Sequence, residues 1–314
     1  GCTVVAKPSE LTPMTAYLFS KLCIEAGLPA GILNIVHGRG AEAGHAIIQH
    51  PEVTAISFTG GTATGKHIAS VAAPMFKKLS LELGGKNPNI VFADCDFEQA
   101  VKTSVTASFS NQGEICLCGS RILVERSVYE KFVAAFVERT QQLIVGDPLA
   151  ETTHVGALVS EGHMKKVLGY IELARQEGGT ILTGGRQRMM TGRCAQGFFV
   201  EPTVIVGLDH RCRTNQEEIF GPVVTIMPFD REEEAVAFAN GTAYGLAATV
   251  WTENLSKAHR VAAALKSGIV WVNCWLLRDL RTPFGGVKQS GVGREGGWEA
   301  LRFFTEAKNV CVKW

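Results

Sequence analysis

The 314-residue chain has no Cys-x-x-Cys pair and no His-Glu-x-x-His motif. Its nine cysteines are odd in number and irregular in spacing, which argues against a structural zinc site and a disulfide framework and favours a reducing compartment. No apolar run approaches the ~18 residues that a membrane-spanning helix needs, and no signal peptide is evident. A cytoplasmic protein without a membrane partner is the expectation. A net charge of +1 offers nucleic acid or an acidic surface nothing to attract, so neither is expected as a partner. Internal repeats and low-complexity tracts are absent. The initiator methionine is also lacking: the chain opens on Gly1-Cys2-Thr3 and enters a strand at Val4.

What is present is ordinary globular composition, 46% hydrophobic and 19% charged, with length enough for two domains. The stretch Phe109-Ser110-Asn111-Gln112-Gly113-Glu114-Ile115-Cys116-Leu117-Cys118 reads as a helix running into a glycine turn and then a cysteine. Asp96 is placed to cap that helix, and Val101, Val105, Ala107 and Phe109 give it an apolar side. A second helical turn over 115–119 would set the Cys116 thiol at a positive helix end, which favours the reactive thiolate. By itself the stretch suits a small buried hydrophobic cysteine equally well. Leu79 to Leu83 alternates as a half-buried strand and carries Glu82 just before Gly84-Gly85. A carboxylate there is either a general base facing a cavity or an exposed strand residue.

Strand and helix patterns alternate from the start: a strand at 4–6, a helix opened by Thr12-Pro13, strands at 32–36 and 53–58 with a helix over 41–49 between them. This order argues for a parallel α/β sheet. Gly60-Gly61-Thr62-Ala63-Thr64-Gly65-Lys66-His67 follows the third strand and matches a nucleotide-hydrolase phosphate loop except that His67 replaces the hydroxyl residue needed for Mg²⁺. Gly291 to Gly296 matches Gly-x-Gly-x-x-Gly, but no strand leads into it and too little chain follows for a βαβ unit.

Six motifs in one order carry a resemblance: Lys7-Pro8-Ser9-Glu10, Phe58-Thr59-Gly60-Gly61, Leu81-Glu82-Leu83-Gly84-Gly85-Lys86, the Cys116 stretch, Glu217-Glu218-Ile219-Phe220-Gly221-Pro222, and Pro283-Phe284-Gly285-Gly286-Val287-Lys288. Together they resemble the NAD(P)-dependent aldehyde dehydrogenase superfamily along the whole chain. The resemblance implies an α/β fold with a partial Rossmann-type cofactor domain and an α/β catalytic domain. Its divisions are 1–86 for NAD binding, 87–284 for catalysis, 285–305 returning to the cofactor domain, and 306–314 as an oligomerisation strand. It implies Cys116 as nucleophile and Glu82 as general base. Lys7, Glu10, Gly60, Gly61, Gly65, Leu83, Glu218 and Phe220 are implied as cofactor contacts. The carboxylate of Glu10 suits ribose hydroxyls and repels a 2′-phosphate, which favours NAD over NADP. A homo-oligomer acting on a small-molecule aldehyde is expected.

The implied chemistry runs through a Cys116 thiohemiacetal and a thioester hydrolysed by water that Glu82 activates. Relative to the family, about the first third of the chain is absent, and with it the side chain that would help the Cys116 N–H hold the oxyanion. Arg278 and Arg281 stand in a loop before the last glycine motif, where a guanidinium can fork onto a substrate carboxylate. Arg281 is the expected clamp; a pair with Asp279 is the competing use. The segment 274–282 is most similar to the branch of the family that oxidises muconic semialdehydes. Broad or retinal-type aldehyde oxidation is the alternative within the chemistry, and a silent binding or assembly protein is the alternative outside it. Cys116 and Cys118 lie too close along the chain for an unstrained disulfide.

Overall fold

The computed structural model describes all 314 residues. The chain enters through β1 (Val4–Ala6), α1 (Met14–Glu25) and β2 (Leu33–Ile35), with β1 and β2 paired in parallel. The helix α2 (His45–Gln49) leads to β3 (Ala55–Thr59), α3 (Thr62–Ala72) and β4 (Lys78–Glu82). β3 and β4 are parallel, and the strand Gly291–Val292 adds antiparallel to β4 opposite Glu82 and Leu81. Gly291 to Gly296 therefore supplies a sheet edge and a turn, and no dinucleotide fingerprint.

Beyond Lys86 the chain builds one seven-stranded sheet. Its core is β5 (Pro88–Val91), β6 (Arg121–Glu125) and the strand Val223–Phe229, all parallel. Ala247–Trp251 and Ile269–Val272 extend one side; Thr203–Val206 and β7 (Thr180–Thr183) extend the other, the last antiparallel. Alternation along the strands sends Val91, Ile122 and Val124 to a face covered by α4 (Phe97–Phe109) and α5 (Tyr129–Gln141). It sends Ile90, Leu123 and Met227 to the opposite face, under the helices Glu232–Asn240 and Leu255–Ala264. Burial on both faces is what a parallel sheet requires.

Local signals explain the ends of the elements. Asp96 Oδ1 accepts from the Gln99 N–H and caps α4, as expected. Ser160 caps α6 (Glu161–Gln176) in the same way. Ser127 does not cap α5: a short 3₁₀ turn intervenes and its hydroxyl donates to Glu125. Arg121 is wholly buried without a carboxylate; its guanidinium donates to the carbonyls of Lys86, Phe238 and Ala239. It thereby ties the start of β6 to the segment below the glycine pair 84–85.

Residues 309–314 form no strand within the chain itself. Ile115 to Gly119 makes a single turn and no helix, closed by the Cys118 N–H onto the Ile115 carbonyl at 3.0 Å.

Candidate active site

The turn after α4 has an unusual backbone. Asn111, Gln112 and Gly113 have φ of 49°, 51° and 73° in succession, and a Cβ on Gly113 would lie 2.2 Å from the Gly221 carbonyl oxygen. Only glycine permits that approach. The turn delivers Cys116 to a seat fixed by Asn87, whose amide donates to the carbonyls of Cys116 (2.7 Å) and Cys118 (2.9 Å) and accepts from the Ala247 N–H (3.0 Å). The Trp275 indole donates to the Leu117 carbonyl at 3.0 Å. The Cys116 N–H has no carbonyl partner of its own, which leaves it available to a developing oxyanion.

With no helix beginning at Cys116, the expected dipole does not act on the thiol. Burial first, then the Glu218 and Glu82 carboxylates, push the thiol up to about 11; Arg278 opposes them. The resting group is a thiol. Cys118 lies deeper and is pushed up to about 12, again by burial. All nine cysteines are free.

Glu82 is 3% exposed at the end of β4, and neither carboxylate oxygen has a hydrogen-bond partner. The half-buried strand expected from Leu79 to Leu83 forms at Lys78–Glu82 and is buried over its last three residues. Gly285 approaches so closely that a Cβ there would sit 2.7 Å from Oε1. Burial and the neighbouring Glu295 raise the carboxyl to about 7, against the pull of Arg294 and Arg278. A general base of that strength is matched to neutral pH.

The expected cofactor residues lie at the C-terminal ends of β1, β3 and β4, where open α/β sheets bind ligands. Lys7 Nζ donates to Pro8 and Gly38 carbonyls and pairs with Glu10 at 3.4 Å. Gly60 donates to the Glu82 carbonyl, and a Cβ on it would meet the Phe58 ring at 2.5 Å. Gly61 caps α3 with open space where a Cβ would be. Gly65 faces Leu83 so closely that a Cβ would lie 2.5 Å from Leu83 Cδ2. Because Gly65, Lys66 and His67 already stand inside α3, no phosphate loop of the hydrolase kind exists here; His67 instead meets His45 at 3.2 Å.

Glu218 accepts from the Gly85 N–H at 2.9 Å and lies against Gly84, where a Cβ would be 2.1 Å from Oε2. Burial raises its carboxyl; the Gly85 N–H, Lys166, Lys86 and His163 oppose that rise. Phe220 has φ 60°, and its carbonyl accepts from His163 Nε2 at 2.6 Å. His163, which shows no ligand spacing in the sequence, thus holds the Phe220 turn.

The two loop arginines lie in different surroundings. Arg281 is 89% exposed and forks onto its own neighbour Asp279, with Nη2 to Oδ2 at 2.5 Å. Arg278 lies 4.2 Å over the Phe284 ring and lines a cavity of about 120 Å³ with Trp271, Leu277, Phe284 and Glu295. Phe284 and Trp271 belong to the apolar cluster that also packs Cys116. The charge of Arg278 is felt at both Cys116 and Glu82. Sequence reasoning also missed Asn87, Glu295 and Trp275. Asn87 directly follows Lys86 in the glutamate motif, but its role needs two segments, around 116–118 and 247, that only the fold brings to it.

The chain thus presents a buried thiol at Cys116, an unpaired buried carboxylate at Glu82 and glycine-lined sheet ends. Residues 1–310 match the Aldehyde dehydrogenase family, and the chain belongs to that family. It is 53% identical over its whole length to 2-aminomuconic semialdehyde dehydrogenase of Danio rerio and 50% identical to the Homo sapiens protein of that name. It is 51% identical to 2-hydroxymuconic semialdehyde dehydrogenase of Pseudomonas sp. strain CF600. The chain spans about 65% of the length of these relatives. Among solved structures, an indole-3-acetaldehyde dehydrogenase complexed with NAD⁺ superposes with a TM-score of 0.96 at 45% identity, over 99% of this chain and 63% of the other.

Proposed function

We propose that the chain carries the catalytic centre of an NAD-dependent dehydrogenase for a carboxylated semialdehyde, of the 2-aminomuconic or 2-hydroxymuconic kind. The observation that carries this reading is Glu82: buried, bonded to nothing, held near pKa 7, and electrostatically coupled to the Cys116 thiol. A structural carboxylate is paired; one kept free at neutral pH is poised to take a proton.

In this scheme Cys116 sulfur adds to the aldehyde carbon, and the Cys116 N–H meets the resulting oxyanion. When bound, NAD supplies the hydride acceptor. Lys7, Glu10 and the start of α3 suit its adenosine and phosphates; Gly84, Glu218 and Phe220 suit its nicotinamide end. Glu82 then draws a proton from water that attacks the thioester, and the acid leaves. Arg278 faces the reacting groups and takes the role expected of Arg281. The division of the chain near residue 86, an assembly of identical chains and a cytoplasmic location belong to the same proposal. Relatives named for the two muconic semialdehydes support the substrate class. A relative at 43% identity is named for 4-trimethylaminobutyraldehyde, so family membership alone does not choose a substrate.

The test is NADH formation from 2-hydroxymuconic semialdehyde and from an uncharged aldehyde of similar size. Cys116→Ala abolishes both. Arg278→Ala raises the KM of the carboxylated substrate about 10–100-fold, the worth of a charged hydrogen bond, and leaves the uncharged one near wild type. Arg281→Ala changes neither by more than about twofold, since an exposed ion pair contributes little. Equal loss of both substrates in Arg278→Ala removes the clamp and returns the reading to a broad aldehyde dehydrogenase.

A further inference from the structure

Cys116 and Glu218 line one small cavity that Glu82 does not reach. Its walls include Gly85, Ser120, Phe220 and Val223, and its volume is about 20 Å³, room for a single water. The Ser120 hydroxyl is buried at this cavity and has no hydrogen-bond partner. The Glu218 carboxylate spends one oxygen, Oε1, on the Gly85 N–H and leaves Oε2 unengaged. Neither Glu218 nor Glu82 hydrogen-bonds the thiol directly, so a proton leaving sulfur needs a carrier.

We infer that Glu218, through one water in this cavity, is the proton acceptor for the Cys116 thiol, while Glu82 serves only the later hydrolysis. The inference deepens the proposed function and rests on its assignment of Cys116 as nucleophile. The step balances as follows. The S–H bond breaks as the sulfur pair attacks the carbonyl carbon. The water takes the thiol proton and gives one of its own to the Glu218 carboxylate. Glu218 ends as a carboxylic acid, and the negative charge ends on the tetrahedral oxygen.

The surrounding charges agree. Of the two carboxylates, Glu218 acts more strongly than Glu82 on the thiol, and Arg278 is the cation facing it. Glu218 itself faces Lys86, Lys166 and His163. Lys86 is fully buried, and burial lowers its ammonium to about 7. The carboxyl of Glu218 is raised above its ordinary range by burial, which makes it a better proton acceptor than an exposed glutamate.

The experiment uses the 314-residue chain without cofactor and 4-nitrophenyl acetate as acylating probe at pH 7. The burst reports thiol attack; the steady rate reports hydrolysis of the acyl-thiol. Glu218→Gln slows the burst about 100-fold, within the usual range for a positioned base. In the same variant the pH midpoint of iodoacetamide alkylation moves down, because a negative charge beside the thiol is gone. Glu82→Gln keeps the burst and slows the steady rate. Glu218→Asp, which keeps the charge but shortens the reach, loses at least about tenfold in the burst with little change in the alkylation midpoint, and it carries the test if Glu218→Gln does not fold. A burst in Glu218→Gln equal to or faster than wild type overturns the inference, as does a wild-type burst in Glu218→Asp or the loss of the burst in Glu82→Gln. A wild-type chain without any burst fails the nucleophile assignment instead. NAD affinity, measured separately by equilibrium dialysis, tests the proposed cofactor contact of Glu218 and leaves the burst result standing.

Discussion

Glu82 closes β4 with its carboxylate turned away from solvent. Its position before Gly84-Gly85 marks it in the sequence, but alternation alone allows an exposed strand carboxylate. The fold buries it and withholds every partner. Its folded pKa, about 7, stands above the ordinary 4.5. The folded state therefore keeps a proton that the unfolded state has already released, so this residue's effect is a loss of stability as pH rises from 4.5 through 7. Glutamine does not titrate. Glu82→Gln is expected to melt with wild type below pH 4.5 and about 5 °C above it at pH 8, while losing turnover. A calorimetric pH series checks this; a constant offset at all pH values would place the effect in packing. Wild-type hydrolysis of the acyl intermediate is expected to rise as pH passes through about 7, because only the carboxylate is a base.

At the scale of elements, the turn after α4 decides where the thiol goes. Three consecutive left-handed residues are improbable without an imposed reason. The reason is close backbone contact between Gly113 and Gly221, the segment that also carries Glu218 and Phe220. Gly113→Ala puts a methyl 2.2 Å from that carbonyl at φ 73°. We expect a loss of about 2–4 kcal/mol in urea unfolding, from strain and from displacement of the 217–222 segment. We also expect a slower burst at Cys116 even where the variant is folded. A Gly113→Ala variant of wild-type stability would mean that the two turns separate freely. The glycine was visible in the sequence as a turn. Its second function, admitting another backbone, was not, because Gly221 lies 108 positions away.

At the scale of the molecule, the two ends of the chain differ in completeness. The sheet from 88 to 272 is covered on both faces, whereas α1 has no buried residue at all. Leu18, Phe19, Leu22 and Ile24 are each more than half exposed, and the β1–β2 pair joins neither larger sheet. A 12-residue helix is marginal without packing, and an apolar face of this extent is unusual on a lone surface. Amide exchange of the isolated chain is therefore expected to be fast over residues 4–35 and slow over the strands of the seven-stranded sheet. Slow exchange at 4–35 that becomes fast on dilution would show copies of the chain covering this face.

The order of elements, the alternation that builds parallel sheets and the candidacy of Cys116 and Glu82 were legible in the amino-acid sequence. These depend on neighbours along the chain: strand period, helix caps, glycines beside functional side chains. Other features depend on surroundings that the local pattern does not contain. Arg281 and Arg278 stand three residues apart with the same chemistry, and only the path of the loop turns one onto Asp279 and the other over Phe284. The thiol's reactivity was assigned to a helix that does not form, while its resting state is set by burial and by carboxylates 34 and 102 positions away along the chain. Electrostatic environment is a sum over spatial neighbours at low dielectric. Pattern along a chain fixes which groups are available; which of them share a cavity, and so which can exchange a proton, is decided only when distant segments close around it.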